Sequence, residues 1–444
     1  VVVHDRQGLF QRAEGAFSFR FTGAQRRVLE EIRQDLMKPR PMARLLQGDV
    51  GSGKTAVALT ALLAAWGDGH QGALMAPTEI LAEQHYLSIR SVCRRFGVNV
   101  GLLVGAQGKR EREDLLTGIA SGEIHIAVGT HALIEETVAF RSLGLVVVDE
   151  QHRFGVAQRN RLVSKGAQPN VLVMTATPIP RTLSLTLYGD LDVSVLDELP
   201  PGRQPIRTIW HPPSKIDQIY RVVDREIESG GQAFVVCPLV EESEEVARTN
   251  AVDLHQALAI GPLSHRRVGL LHGQMRSADK ESTMARFRAG ELDILVSTTV
   301  VEVGVDVPNA SVMVVVDADA FGLAQLHQLR GRIGRGSRPS TCYLVAASRG
   351  PDVKARLSAL VGTQDGFVIA QRDLELRGPG EFFGMRQSGL PDLKVADLAT
   401  DVALLEEARF DAVRLLAADP ELTIADHSPL ARVVEEKYRA LIVH

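Results

Sequence analysis

The 444-residue chain has only three cysteines, Cys93, Cys237 and Cys342, and no two of them form a Cys-x-x-Cys pair. Neither a disulfide framework nor a zinc site is implied by that spacing, which points to the cytosol. Long apolar runs are missing as well. The helix-like stretch Ala56–Trp66 falls short of a membrane span and is followed by Gly67 and Asp68, so no membrane association is expected. No basic segment leads into a long apolar one at Val1-Val-Val-His-Asp-Arg6, so no secretory signal is read there. A charge excess is lacking too: the net charge is −4, which offers no overall argument for nucleic acid. Lysine is rare, nine residues against 41 arginines among the 50 basic positions. Arginine suits forked phosphate contacts, but genome composition explains the bias equally well, and charge leaves DNA undecided. There is no low-complexity segment, and no repeat beyond an alternation of strands and helices. What is present, 45% hydrophobic and 23% charged residues, is ordinary for a globular protein with room for two to four domains. The chain begins with Val rather than Met and is expected to belong to a longer protein.

Chemistry is concentrated in stretches far apart in the chain. Gly48, Asp49, Val50, Gly51, Ser52, Gly53, Lys54 and Thr55 fit G-x-x-x-x-G-K-[ST] at every fixed position, between an apolar run and a helix-like stretch. Such glycines let backbone N–H groups close around phosphate oxygens at a helix start, whose dipole favours negative charge. Lys54 would reach the β- and γ-phosphates of ATP, and the Thr55 hydroxyl would bind Mg²⁺. A second apolar run ends in two carboxylates, Asp149 and Glu150. Asp149 would help hold Mg²⁺, and Glu150 would orient or activate the attacking water. The stretch Gln328-Leu-Arg-Gly-Arg-Ile-Gly-Arg335 then offers Arg332 and Arg335 to meet phosphate charge from the opposite side. An Arg/Gly run alone is often a solvated tail. Here the flanks Leu323–Leu329 and Cys342–Ala347 read as a helix and a buried strand.

Apolar strands alternate with helix-like segments in two series. The first comprises Met42–Leu46, Gly72–Met75, Ile124–Val128, Leu143–Val148 and Val171–Met174. The second comprises Ala233–Val236, Val268–Leu271, Ile294–Val296, Val312–Val316 and Cys342–Val345. Nearly continuous apolar strands separated by helices predict an α/β fold with two parallel sheets covered on both faces. Ligands are then expected at the carboxyl ends of the strands. The segment Asp197–Pro205, rich in Pro and Gly, reads as the linker. Ala24, Val28, Ile32 and Leu36 mark an amphipathic helix before the first sheet. After the second, Pro351–Val361 reads as a helix, 371–384 as a glycine-punctuated loop, and the tail from Lys394 as helical again.

Several of these strings resemble a known family. Asp149-Glu-Gln-His152, Thr175-Ala-Thr177 and the arginine stretch are similar to motifs II, III and VI of superfamily 2 helicases. The longer strings Asp149–Val156, Met174–Thr182 and Gln325–Arg335 resemble the RecG branched-DNA helicases, with a match running from Phe19 to Asp397. The resemblance implies two tandem RecA-like P-loop helicase lobes, over 19–200 and 201–349. A leader (1–18) would precede them, and a helical and loop translocation motif with a helical tail (350–444) would come after. It also implies ATP and Mg²⁺ as cofactors and branched double-stranded DNA, forks and Holliday junctions, as substrate. Further implied are a single-stranded DNA-binding protein as partner, a monomeric state, and a place at the nucleoid of a bacterial cytoplasm.

Residue by residue, the resemblance gives Phe21 and Gln25 to adenine reading, and Gly304 and Asp306 to the nucleotide. Thr78 and Thr130, with Thr298 and Thr299, would face the DNA backbone, since hydroxyls position phosphates without reading bases. Taken alone, Phe21 and Gln25 read as the capped start of the amphipathic helix, and Thr78 and Thr130 as helix caps. Arg356, Arg377 and Gln387 would belong to the translocation motif; Gly378-Pro-Gly380 alone is also turn chemistry. No wedge domain like that of the family precedes Phe17, so fork specificity is not read from the chain. Asp317-Ala-Asp-Ala-Phe321 is closer to the transcription-repair coupling factor, whereas Gln151 and Thr299–Pro308 favour RecG. The alternatives are therefore the motor of that coupling factor or, from another class, a non-catalytic ATP-binding scaffold.

Overall fold

The computed structural model describes residues 1–442 apart from 106, 151–160, 177–190, 201–203, 239–243, 299–306, 348–349 and 383–400. The first sheet contains β1 (Ala43–Gly48), β2 (Gln71–Met75), β3 (Val100–Leu103), β4 (Ile126–Gly129), β5 (Leu143–Asp149), β6 (Asn170–Thr175) and β7 (Asp192–Leu196). Its spatial order is β3-β4-β2-β5-β6-β1-β7. The second contains β8 (Ile206–His211), β9 (Gln232–Val236), β10 (Val268–Leu271), β11 (Ile294–Ser297), β12 (Ala310–Val316) and β13 (Ser340–Val345). Its order is β10-β11-β9-β12-β13-β8. All pairings are parallel, with registers such as Val147 opposite Leu172 and Val314 opposite Tyr343.

A parallel sheet needs cover on both faces, and the burial pattern agrees. Every residue of β5 is buried, and the helix Lys54–Gly67 is apolar nearly all round because it is packed between the β1/β5 face and neighbouring helices. Both lobes thus have the architecture that the apolar runs predict. Three strands escaped that reading. β3 has the same Val-Gly-Leu-Leu string and alternating burial as β10, which the apolar runs include, so no sequence feature separates the two. β7 and β8 are edge strands carrying Asp192, Ser194, Arg207 and Thr208, and such polar positions break the continuous apolar signal.

Two other segments depart from expectation. Residues 1–18, read as a leader, are folded onto the first lobe: the helix Leu9–Glu14 packs against Lys54–Gly67, with Leu9, Ala13 and Val3 fully buried. The span 371–384, read as a loop, lies largely in the helix Gly366–Phe382, which continues through Gly378-Pro379-Gly380. Asp365 caps its start, Oδ1 accepting from the Phe367 and Val368 amides at 2.8 and 3.3 Å, and Ile369, Ala370 and Leu374 bury one face. Burial and capping outweighed the local turn chemistry there. The helix Gly350–Gly362 precedes it.

One compact unit holds both lobes and runs to Leu376. The chain from Arg377 onward falls in a second unit, which contains the helices Val402–Ala418 and Ser428–Ile442. Within it the Asp419 carboxylate closes the turn between these helices, accepting from the Thr423 and Ile424 amides at 3.0 and 2.9 Å. Among the described residues, no helix is long and apolar enough to cross a membrane.

Candidate nucleotide site between the lobes

The phosphate loop joins β1 to the helix Lys54–Gly67 at the carboxyl end of the first sheet. Gly51 and Gly53 hold φ values of 82° and 86°, a left-handed region that favours glycine. A Cβ on Gly53 would also lie 2.2 Å from Gln25 Nε2. That close approach is used: Gln25 Nε2 donates to the Ser52 carbonyl at 2.8 Å, while its Oε1 accepts from the Thr22 amide. With Gln25 N donating to Thr22 Oγ1, this is a complete capping box, so Gln25 both starts its helix and braces the loop. Phe21 is 4% exposed and belongs to the core, whereas Phe19, 41% exposed, lines the cavity beside the loop. Phe19 was missed because nothing in spacing separates it from Phe17 and Phe21.

Lys54 is buried, and its ammonium donates to the Gly48 and Asp49 carbonyls at 2.6 and 3.0 Å. Burial pushes it below its ordinary value against the pull of Glu150, Asp149 and Asp49. Around it lies a cavity of about 310 Å³ lined by Lys54, Thr55, Asp149 and Glu150 from the first lobe and by Arg332 and Arg335 from the second. The six residues stand together although up to 281 positions separate them, as Lys54 and Arg335 show. Arg332 is buried; Arg335 Nε donates to the Gly331 carbonyl at 3.3 Å. Gly331 lies so close to Val50 that an added Cβ would be 2.9 Å from the Val50 Cβ, which fixes how the arginine helix Leu323–Arg330 meets the loop.

The two carboxylates are tuned apart. His85 Nε2, from the helix Glu79–Arg95, donates to Asp149 Oδ2 at 2.7 Å. Burial works against the Asp149 charge, but this bond and the nearby lysine hold its carboxyl below the usual range. Burial and the charge of Asp149 push Glu150 above it. Glu150 has φ 53°, which turns it off the end of β5 toward the cavity. His85, which also lines the cavity, had no sequence signal, because its partner lies 64 residues away.

Asp49 takes a different place from its loop neighbours. Its Oδ1 accepts from His327 Nε2 at 2.9 Å and its Oδ2 from the Gly366 amide at 3.2 Å. Burial opposes its charge, yet the His327 bond holds its carboxyl below the usual range.

Of the residues expected to face DNA, Thr78 caps the helix Glu79–Arg95, its Oγ1 accepting from the Leu81 amide at 3.4 Å. Thr130 and Thr298 are buried, and their hydroxyls have no hydrogen-bond partner among the described residues. Arg356 donates to the Phe321 and Asp319 carbonyls at 3.2 and 2.9 Å and thereby holds the turn before the arginine helix. Thr299, Gly304, Asp306 and Gln387 lie outside the described residues, as does the side chain of Arg377.

Comparison with known proteins agrees with this geometry. Family models match in three stretches: DEAD/DEAH box helicase over 22–186, helicase conserved C-terminal domain over 214–337, and ATP-dependent DNA helicase RecG, domain 3, C-terminal, over 363–442. The chain is 52% identical over 421 residues to the ATP-dependent DNA helicase RecG of Bacillus subtilis, a match covering 93% of this chain and 62% of that protein. It is 51% identical over 434 residues to the RecG of Synechocystis, covering 98% of this chain and 52% of that one. The chain thus spans about half to three fifths of the length of these relatives. A solved structure of RecG bound to a three-way DNA junction is 45% identical and superposes with a TM-score of 0.76 over 91% of this chain and 53% of that one. Yeast Dbp5 bound to RNA and ADP BeF3, at 16% identity and a TM-score of 0.58 over 83% of this chain and 91% of that one, shares the fold alone.

Proposed function

The chain belongs to the RecG family of ATP-dependent DNA helicases, and from that premise we propose that it is an ATP-driven double-stranded DNA motor. Its action is to remodel branched DNA by fork reversal and Holliday junction branch migration in recombination and repair. The observation that carries the reading is the cavity lined by Lys54, Thr55, Asp149 and Glu150 on one side and by Arg332 and Arg335 on the other.

ATP enters with its phosphates in the loop, and the Lys54 ammonium exchanges the Gly48 and Asp49 carbonyls for β- and γ-phosphate oxygens. The donor set suits Mg²⁺: a hydroxyl and a carboxylate kept ionised are hard oxygen ligands, and this ion is commonly held by one or two side chains plus phosphates. Thr55 and Asp149 would hold it, with His85 fixing the orientation of the carboxylate. When bound, the ion neutralises charge between the β- and γ-phosphates. Glu150, with its raised proton affinity, orients a water and takes its proton as the water oxygen bonds to the γ-phosphorus and the bond to the β-phosphate oxygen breaks. ADP and phosphate leave. Arg332 and Arg335 neutralise the γ-phosphate in the transition state, so turnover requires the second lobe and is coupled to its closure on the first. All six groups meet at one cavity, which favours a working motor over a scaffold that only binds nucleotide.

ATP hydrolysis by the chain is measured with no DNA and with single-stranded, duplex, forked and four-way DNA. Turnover stimulated by duplex and branched DNA, and junction unwinding that requires ATP, are expected. Turnover that ignores DNA would overturn the motor, and stimulation by single strands alone would overturn the duplex substrate.

A further inference from the structure

Asp49 stands in the phosphate loop but does not line the cavity that holds Lys54. It lines a second one, of about 150 Å³, together with His327, Arg330, Gly331 and Gln364 of the other lobe. Its two faces touch different machinery. The backbone carbonyl accepts from the Lys54 ammonium at 3.0 Å. The carboxylate reaches the second lobe at two points, His327 Nε2 at 2.9 Å and the Gly366 amide at 3.2 Å.

Both contacts are directional. Arg330 donates to His327 Nδ1 at 2.9 Å, which makes that nitrogen the acceptor and leaves Nε2–H to point at Asp49. Gly366 opens the helix Gly366–Phe382, whose free N-terminal amides and dipole attract a carboxylate. Asp365 serves the next two amides, so the Gly366 N–H is the one that Asp49 serves. A carboxylate of the first lobe therefore caps a helix attached to the second.

Nucleotide disturbs this arrangement from the other side. Phosphates that draw Lys54 off the Gly48 and Asp49 carbonyls release the peptide that carries the carboxylate. We infer that Asp49 is a positioning residue that reports occupancy of the phosphate loop to the helix Gly366–Phe382 through its bonds to His327 and Gly366. The link rests on the nucleotide-driven reading above and adds the path by which that helix, part of the segment resembling the translocation motif, senses ATP.

Hydrogen exchange of the Gly366 amide tests it on the full chain, with and without Mg²⁺ and the non-hydrolysable analogue adenylyl imidodiphosphate, analogue binding being measured separately. In the wild type, the analogue is expected to speed exchange at Gly366 about tenfold, the scale of one hydrogen bond lost. Asp49→Ala is expected to exchange fast in both states. Asp49→Asn, which fills the same space and guards against a folding defect, should show a reduced response. Gly366→Ala keeps the N–H and should respond as the wild type does. Analogue binding that leaves the Gly366 amide of the wild type unchanged would sink the link, as would a full response in Asp49→Ala. Failure of the wild type to bind the analogue would instead overturn the nucleotide reading itself.

Discussion

The two lobes are built to one plan and do different work. If β2 through β6 are matched to β9 through β13, and β1 to β8, the two sheets have the same strand order, with β7 added at the edge of the first. Corresponding stations agree in detail. β3 and β10 share the sequence Val-Gly-Leu-Leu. Gln71 at the start of β2 donates to the Ile119 and Ile124 carbonyls at 2.9 and 2.8 Å; Gln232 at the start of β9 donates to those of Phe287 and Leu292 at 2.6 and 2.7 Å. The residue directly after β5, Glu150, and the one after β12, Asp317, have φ values of 53° and 49°. The difference lies in the loop that leaves the first strand of each sheet. β1 leads into the glycine loop and Lys54, whereas β8 leads into Pro212 and the short turn Pro213–Lys215. The shared frame fixes where loops emerge, and the loop residues decide which lobe holds phosphate.

The sharpest way to break this division is to remove the second lobe's direct contribution to the chemistry. Arg332→Ala is expected to lower DNA-stimulated ATP turnover by about 10³-fold or more, the lower range for an arginine finger, with a smaller effect on nucleotide affinity. Near-normal turnover in both Arg332→Ala and Arg335→Ala would leave the second lobe no part in hydrolysis. Next comes a matched pair at the left-handed station after the central strand. Glu150→Gln should bind nucleotide and lose roughly 10²- to 10⁴-fold in turnover, the range of a general base. Asp317→Asn, at the equivalent place with no phosphate loop beside it, should stay within about threefold of wild type, as substitutions away from reacting groups do. Equal losses at the two stations would mean that the frame rather than the loop carries the chemistry.

Legibility from sequence ran along the same division. The phosphate loop, the carboxylates after β5 and the arginines after the helix Leu323–Arg330 are contiguous strings whose spacing is their chemistry, and the central strands are apolar runs. The repeat was not visible, because matched strands share burial and only a few identities, and one four-residue string is too short to stand out. Nor were the contacts that join distant segments: His85 to Asp149, Gln25 to Ser52, and Asp49 to His327 and Gly366 span 64, 27, 278 and 317 residues. Asp49 read as one more loop position because the motif says where the backbone goes and nothing about where that side chain turns. The helix Gly366–Phe382 was misread through its Gly-Pro-Gly, a local signal that burial of Ile369 and Leu374 outweighed.

The glutamine braces allow a finer test, of stability rather than catalysis. Gln71 makes a third bond, its Oε1 accepting from the Ser142 amide at 3.0 Å, while Gln232 Oε1 is buried with no partner among the described residues. Gln71→Leu strips three backbone groups, and Gln232→Leu strips two and also removes an unmet acceptor. Expected losses are about 2–3 kcal/mol for the first and about 1 kcal/mol for the second, on the scale of buried groups left unpaired. Native-state amide exchange reads each sheet separately, which suits a chain whose lobes need not unfold together. A larger loss at Gln232 would show that the second sheet depends on its brace more than the geometry indicates.

The smallest expected difference lies within the shared Val-Gly-Leu-Leu. An added Cβ at Gly101 would meet Leu115 Cδ1 at 2.4 Å and Ile124 Cγ2 at 3.0 Å. At Gly269 it would meet Leu292 Cδ1 at 2.6 Å and Leu295 Cδ1 at 3.3 Å. Leucine methyls at the end of a flexible side chain can move aside, whereas the Cγ2 of a β-branched isoleucine is held close to the backbone. Alanine also restricts the unfolded chain more than glycine does, which returns roughly 0.5–1 kcal/mol at a strand position. At Gly269 that gain should nearly cancel the crowding, so that Gly269→Ala changes the opening free energy of β10 and β11 by less than about 0.5 kcal/mol. At Gly101 the isoleucine cannot give way as readily, and Gly101→Ala should destabilise β3 and β4 by about 1 kcal/mol, the low end for overpacking. Amide exchange on these strands decides between the two. Equal costs at both glycines would mean that the lobes pack their shared strand alike, and that their difference is confined to the loops at the carboxyl ends of the sheets.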